Sequence, residues 1–235
     1  MRERVATMVV GAGLALAGFG SAPAAAARLE AASDRVLGRL EEARIGAALP
    51  PGWQLRPVRG VAAPTSQVVA DARHGRAIRF DARKQAGFFG IELAEPLDAA
   101  GGRLAWQWRV EEPVPGAALR DPARDDSAAR FFVIFGRRGL LTPPRMIFYS
   151  WGNQEAHGAA WPSRVSGRMH IVVLRNAADG TGRWLAEERD LAADYRDAFG
   201  GEPPAVTGIG FMIDTDDTGA RAVGMLGPVL WRPGR

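Results

Sequence analysis

Five aspartates in two short stretches are the residues whose type and spacing invite chemistry. Asp125 and Asp126 sit together in one stretch, and Asp214, Asp216 and Asp217 punctuate another, IDTDDTG from 213 to 219. If the stretches meet, their carboxylates can supply part of the roughly six to eight oxygen ligands that Ca²⁺ takes. Asp126, Asp214, Asp216 and Asp217 are therefore the metal candidates, and Ca²⁺ is the one cofactor these residue types suggest. Asp214, Asp216, Thr218 and Gly219 also match the start of an EF-hand loop. The position that should hold its bidentate glutamate is Met225, however, and both flanks read as strands, which excludes that motif. Two facing carboxylates can instead serve glycoside hydrolysis, which needs them about 5–9 Å apart. No acidic residue lies in an apolar strand context that would clearly raise its pKa for an acid's role, so the reading leans away from an enzyme. The plainer structural alternative pairs Asp126 with Arg130 or a nearby arginine and lets Asp214 and Asp216 cap turns through their own backbone amides.

Aromatic residues offer a second chemistry. Seven tryptophans stand in the chain, and an exposed indole can receive the apolar face of a sugar ring while neighbouring polar groups bond its hydroxyls. Trp151, Asn153, Gln154 and Trp161 fall in one loop-rich segment and are the candidates for such a platform, with Asp125, Asp126 and Arg130 as polar partners. Trp53, Trp106, Trp108, Trp184 and Trp231 are assigned to the core. The histidines, His74, His157 and His170, make no metal-spaced pair. No G-x-S-x-G, H-E-x-x-H, Walker A or dinucleotide fingerprint occurs, and the absence of cysteine removes thiol catalysis.

These residues must be positioned by strands. LAWQWRV (104–110) alternates, with Leu104, Trp106, Trp108 and Val110 on one side and Gln107 and Arg109 on the other. FFVIF (131–135) is apolar throughout, which predicts a central strand covered on both faces. IFYSW (147–151) aligns Ile147, Tyr149 and Trp151. Further strands are predicted at 67–71, 77–81, 87–93, 145–151, 169–174, 206–213 and 220–231, separated by turn residues. One helix is predicted over 191–199, capped by Asp190 and ended by Gly200-Gly201, and an amphipathic helix over 28–48, stopped by Pro50-Pro51-Gly52. The expected fold is all-β, an antiparallel sandwich or barrel with an N-terminal helix and one short helix near 191–199. The strand order resembles jelly-roll and galactose-binding-like domains, and that resemblance implies an antiparallel β-sandwich of that type.

The first 27 residues read as a secretory signal peptide, with Arg2 and Arg4 before an apolar run and Ala25 and Ala27 in the spacing a signal peptidase accepts. The apolar run is shorter than the roughly 20 residues a spanning helix needs, and no later stretch is apolar enough, so no transmembrane segment is expected in the mature chain. The expected address is the periplasm or the exterior. The expected organisation is a signal peptide (1–27), a helical segment (28–48) and one β-sandwich domain (49–235). With no cysteine for disulfides, burial alone must hold that domain. The formal charge of +4 comes from arginines spread along the chain. No basic helix or basic-aromatic cluster accompanies them, which argues against nucleic acid as a partner.

The order of several short motifs resembles a family of exported bacterial proteins known as domain of unknown function 3047. Those motifs are Leu49-Pro-Pro-Gly-Trp53, Trp106-Gln-Trp108, Arg120-Asp121 followed by Asp125-Asp126 and Ala129-Arg130, Tyr149-Ser-Trp151-Gly152, Gly182-Arg-Trp184 with Asp194-Tyr195, and Asp214-Thr-Asp216. The resemblance implies no activity. The strand order is also similar to carbohydrate-binding modules of jelly-roll type. Together these readings suggest an exported, non-catalytic binding protein for a carbohydrate or other polar envelope component. The alternatives are a polysaccharide hydrolase or lyase using the acidic loops, and a structural or assembly partner in the envelope.

Overall fold

The computed structural model describes residues 33–137 and 143–234. The predicted signal peptide and residues 28–32 lie outside them. In chain order the strands are β1 (Arg35–Leu37), β2 (Gln54–Pro57), β3 (Thr65–Asp71), β4 (Gly75–Arg83), β5 (Ala86–Leu97), β6 (Gly102–Glu112), β7 (Ser127–Phe135), β8 (Arg145–Trp151), β9 (Ala160–Pro162), β10 (Met169–Arg175), β11 (Leu185–Arg189), β12 (Val206–Asp214) and β13 (Arg221–Pro233). The helix α1 (Leu191–Phe199) stands between β11 and β12. Six strands form one sheet in the order β11-β6-β13-β4-β3, with β1 also on β13. The other seven run β2-β5-β12-β7-β8-β10-β9. The result is the expected all-β sandwich.

Alternation decides which side chains fill the space between the sheets. Leu104, Trp106, Trp108 and Val110 of β6 are buried there with Ile78 and Phe80 of β4. They meet Phe131, Val133 and Phe135 of β7, Ile147, Tyr149 and Trp151 of β8, and Phe211 and Ile213 of β12. Trp106 stacks on Phe131 with ring centroids 4.5 Å apart, and Phe80 stacks on Phe211 at 4.4 Å. Strand β7 is central, as its continuous apolar run predicts. Its outward residue Phe132 packs with Phe148, Ile171 and Met212 on the far side of the seven-stranded sheet. Gly210 makes that packing feasible, because a Cβ there would lie 2.3 Å from both the Phe132 ring and the Phe89 carbonyl oxygen. Helix α1 begins and ends as expected: Asp190 accepts from the Ala193 amide at 2.9 Å, and Gly200 adopts φ 69°.

The structure differs from expectation in three places. Within the predicted helix 28–48, residues from 33 onward form β1 and a single 3-10 turn, Leu40–Glu42. Gly38 and Arg39 take φ of 81° and 53°, left-handed conformations that no α-helix continues through. The Gly38 carbonyl accepts from Trp53 Nε1 at 2.6 Å, and β1 pairs with β13 instead. Strands β8 and β10 pair in parallel, the one exception to the antiparallel pattern among the named strand pairs described. Finally, Trp184 precedes β11 and is only half-buried, so it does not join the core tryptophans.

Candidate functional site

The acidic stretches meet because the strands that carry them are neighbours. Asp214 ends β12 and pairs in register with Ser127, the first residue of β7, so Asp125 and Asp126 arrive beside it. The loop after β12 is anchored to the β4–β5 turn, where the Thr215 amide donates to the Gln85 carbonyl oxygen at 2.9 Å and the Gln85 amide donates to Thr215 Oγ1 at 3.0 Å. Gly219, at φ 67°, then closes a turn by donating to the Thr215 carbonyl oxygen.

Asp126 ties the two loops together. Its Oδ2 accepts from the Thr218 amide at 2.7 Å and from Thr218 Oγ1 at 2.5 Å, and its Oδ1 accepts from the Asp217 amide at 3.2 Å. Asp125 is the residue that pairs with Arg130: Arg130 Nη2 donates to its Oδ1 at 2.6 Å and to its carbonyl oxygen at 2.7 Å. The expected Asp126–Arg130 pair is thus replaced by its neighbour, which leaves Asp126 free to cap the opposite loop. Arg130 Nη1 lies 3.9 Å from Asp214 Oδ2. Arg164 reaches Asp125 at 3.5 Å and Asp217 at 3.8 Å.

Oxygen atoms of Asp126, Asp214 and Asp216 all lie within 4.8 Å of one another. Asp126 is 1% exposed and Asp214 8%. Contrary to the expectation that no acidic residue here has a raised pKa, Asp214 closes the buried strand β12, and burial, contact with the Asp216 carboxylate and the nearby charge of Asp126 raise its pKa to about 8, against the pull of Arg130. Carboxylates this close repel when both are ionised, and a shared proton or a cation between them relieves that repulsion. Asp214 Oδ1 and the Nε of Arg130 are buried without a hydrogen-bond partner. Asp217, at the rim, also has a raised pKa, from burial and then from the charges of Asp126 and Asp216. Five carboxylates in this cluster face two guanidiniums, so the fully ionised site carries excess negative charge.

The aromatic candidates fare differently. Trp151 is 3% exposed and packs edge-on to Trp108 in the core, so it presents no open platform. Ile147, Tyr149 and Trp151 share one face, and that face points inward. Trp151 and Asn153 do line a cavity of about 70 Å³ together with Asp126 and Ser127. That volume is far below the roughly 300–1,000 Å³ of ordinary small-molecule sites. Asn153 Nδ2 donates to the Ala117 carbonyl oxygen at 3.2 Å, bracing the loop between β6 and β7. Gln154 is exposed, and Trp161 is half-buried with the Arg120 guanidinium 4.2 Å over its ring. The residue that sequence reasoning missed is Trp184, whose Nε1 donates to Asp71 Oδ2 at 3.0 Å. Its setting in GTGRW, between turn glycines and the polar LAEER, is the signal that separates it from the core tryptophans.

Fold and site together define a two-sheet β-sandwich of jelly-roll type with an acidic loop cluster at one end of the strand pair β7/β12. The chain belongs to the family described as protein of unknown function DUF3047, whose model matches residues 51–230. No curated protein matches the chain. Among solved structures it is similar to the family 11 carbohydrate-binding module of a cellulosomal cellulase of Clostridium thermocellum, with a TM-score of 0.49, 9% identity, and 86% of this chain and 95% of that one covered. It is also similar to the xyloglucanase domain of NopAA, a type three effector from Sinorhizobium fredii, with a TM-score of 0.43, 9% identity, and 85% and 98% covered. The CBM22-1 xylan-binding domain of Paenibacillus barcinonensis Xyn10C follows at 0.34, with 15% identity, and 78% and 88% covered.

Proposed function

We propose that the protein is an exported, non-catalytic binding protein for a polar envelope component, foremost a carbohydrate, and that a Ca²⁺ ion held by Asp126, Asp214 and Asp216 fixes the loops at one end of its sandwich. The observation that carries the reading is the character of the acidic cluster. Asp126 spends its oxygens bracing the opposite loop, Asp214 is buried beside Arg130, and the adjoining cavity is too small for a ligand of ordinary size. A catalytic pair needs room for a sugar between or beside its carboxylates; a loop-bracing ion needs only oxygens and enclosure. The Ca²⁺ would relieve the contact between Asp214 and Asp216 and leave both ionised.

Calorimetric titration with Ca²⁺ and with a panel of cell-wall and exopolysaccharide oligosaccharides tests both halves of the proposal. One Ca²⁺ per chain, lost in Asp216→Asn, and oligosaccharide binding without turnover are the expected results. Glycan cleavage that disappears in Asp126→Asn would overturn the non-catalytic assignment, and absence of any glycan binding with and without Ca²⁺ would overturn the ligand class.

A further inference from the structure

The two sheets turn chemically different faces outward. The seven-stranded sheet covers its outer face with Phe132, Phe148, Ile171 and Met212. The six-stranded sheet instead carries a row that crosses its strands in register, with polar or aromatic residues on either side of the buried Met225. Gln67 of β3 lies opposite Arg79 of β4, Arg79 opposite Met225 of β13, and Met225 opposite Arg109 of β6. Trp184 completes the row, since its neighbour Leu185 pairs with Trp108 and the Arg109 guanidinium lies 5.4 Å from the Trp184 ring centroid. The Trp184 indole folds back over Gly227 of β13 to reach Asp71, four residues beyond Gln67 on β3, which sets ring and Gln67 about 13 Å apart along that strand.

Each end of the row has a distinct device. At the Gln67 end a cavity of about 300 Å³ opens, lined by Gly46, Ala48, Thr65, Ser66, Gln67 and Arg79, which reaches the lower bound of ordinary small-molecule sites. Toward the Asp71 end of β3 the Trp184 indole is half-exposed. It is held by its hydrogen bond to Asp71 and by the His74 ring edge-on at 4.8 Å. The charges between the ends neutralise one another: Arg79 pairs with Asp81 at 3.0 Å and Glu111 at 3.6 Å, and Arg109 pairs with Glu111 and lies 4.0 Å from Asp71. Beneath the indole, Gln107 Oε1, Arg109 Nε and His74 Nε2 are buried, and the Gln107 side chain stands in contact with the His74 ring, so these groups support the surface from below.

We propose that this row is the binding site for a linear, uncharged oligosaccharide, with Trp184 stacking on one sugar and the Gln67/Arg79 cavity receiving another. This rests on the carbohydrate reading above and places the ligand on the outer face of the six-stranded sheet. A hydroxyl both donates and accepts, which suits a lattice of paired arginines and carboxylates. A polyanion finds no net positive field there, because each arginine is already matched by a carboxylate.

The test uses the full mature chain and a panel of neutral and uronate-containing oligosaccharides of several units, read by calorimetry and by amide chemical-shift mapping. A neutral oligosaccharide should bind with an affinity little changed by added salt, and should shift amides along β3, β4, β13 and β6. Trp184→Ala should weaken binding about 30-fold or more, as truncation of a central indole anchor does. Gln67→Ala, at an exposed position that leaves the fold intact, should weaken it several-fold. Binding by the wild type that is untouched in both variants, with shifts confined to the acidic loops or to the seven-stranded sheet, would overturn this site while leaving the general function standing. Preference for uronates with steep salt dependence would overturn the ligand class. Failure of the wild type to bind any member of the panel would overturn both proposals.

Discussion

Replacing Asp214 by asparagine is expected to make the calcium-free protein more stable above neutral pH, although the substitution removes a proposed ion ligand. The carboxyl has a pKa of about 8 in the folded chain against 3.8 as an ordinary aspartate. Between those values the folded state holds a proton that the unfolded state lacks, so stability falls as pH rises, by about 1.4 kcal/mol per unit for one such group. Some four units give an upper bound near 6 kcal/mol. Water entering beside the ionised carboxylate lowers the expected change to about 2–3 kcal/mol. Asparagine reproduces the protonated acid, offering an N–H to Asp216 with no charge to bury. Urea unfolding in chelator at several pH values from 5 to 8.5 is the assay. The wild type should lose stability relative to Asp214→Asn across that range, and the two should draw together as pH falls toward about 4, the ordinary aspartate value. His74 and His170, whose pKa values burial lowers, act with the opposite sign below the usual histidine range, but they are common to both proteins and cancel in the difference. With Ca²⁺ at about a hundred times its dissociation constant, the wild type alone should gain about 2.7 kcal/mol. A pH-independent difference, or a variant less stable than the wild type at pH 8.5 in chelator, would refute the description of the cluster.

Trp151→Ala should act as a core truncation and cost about 3–5 kcal/mol in chemical denaturation, whereas an exposed platform residue would leave the urea midpoint unchanged. Gly210→Ala should destabilise by at least about 1–3 kcal/mol, because its methyl would collide with the Phe132 ring and the Phe89 backbone; an unchanged melting temperature would show that the ring packs elsewhere.

Much of the sandwich could be read from period-two alternation. β6, β8 and β12 have strong apolar faces, and Trp106, Trp108 and Phe131 occupy the core as their spacing predicts. Alternation also contained the correction for Trp151, since Tyr149 and Trp151 share a face and a buried Tyr149 takes Trp151 inward with it. The short strands β1, β2, β9 and β11 are polar or brief, and only their partners make them strands. The helix expected over 28–48 failed because Leu37 and Leu40 satisfy helical spacing while Gly38 and Arg39 between them bend the chain into the left-handed region. The meeting of Asp125 and Asp126 with IDTDDTG was suggested by composition. Its cause, the adjacency of β7 and β12, is a long-range pairing that no local pattern encodes. That same absence of local signal hid the parallel pairing of β8 with β10 and the row that brings Trp184 beside Arg109.

The seven-stranded sheet ends in β2 on one side and β9 on the other, each only a few residues long and each finishing on a proline, Pro57 and Pro162. A proline offers no amide hydrogen, so a strand approaching either edge finds the ladder cut short where it would dock. The chain therefore limits its own polymerisation at two residues that touch neither the core nor the acidic loops.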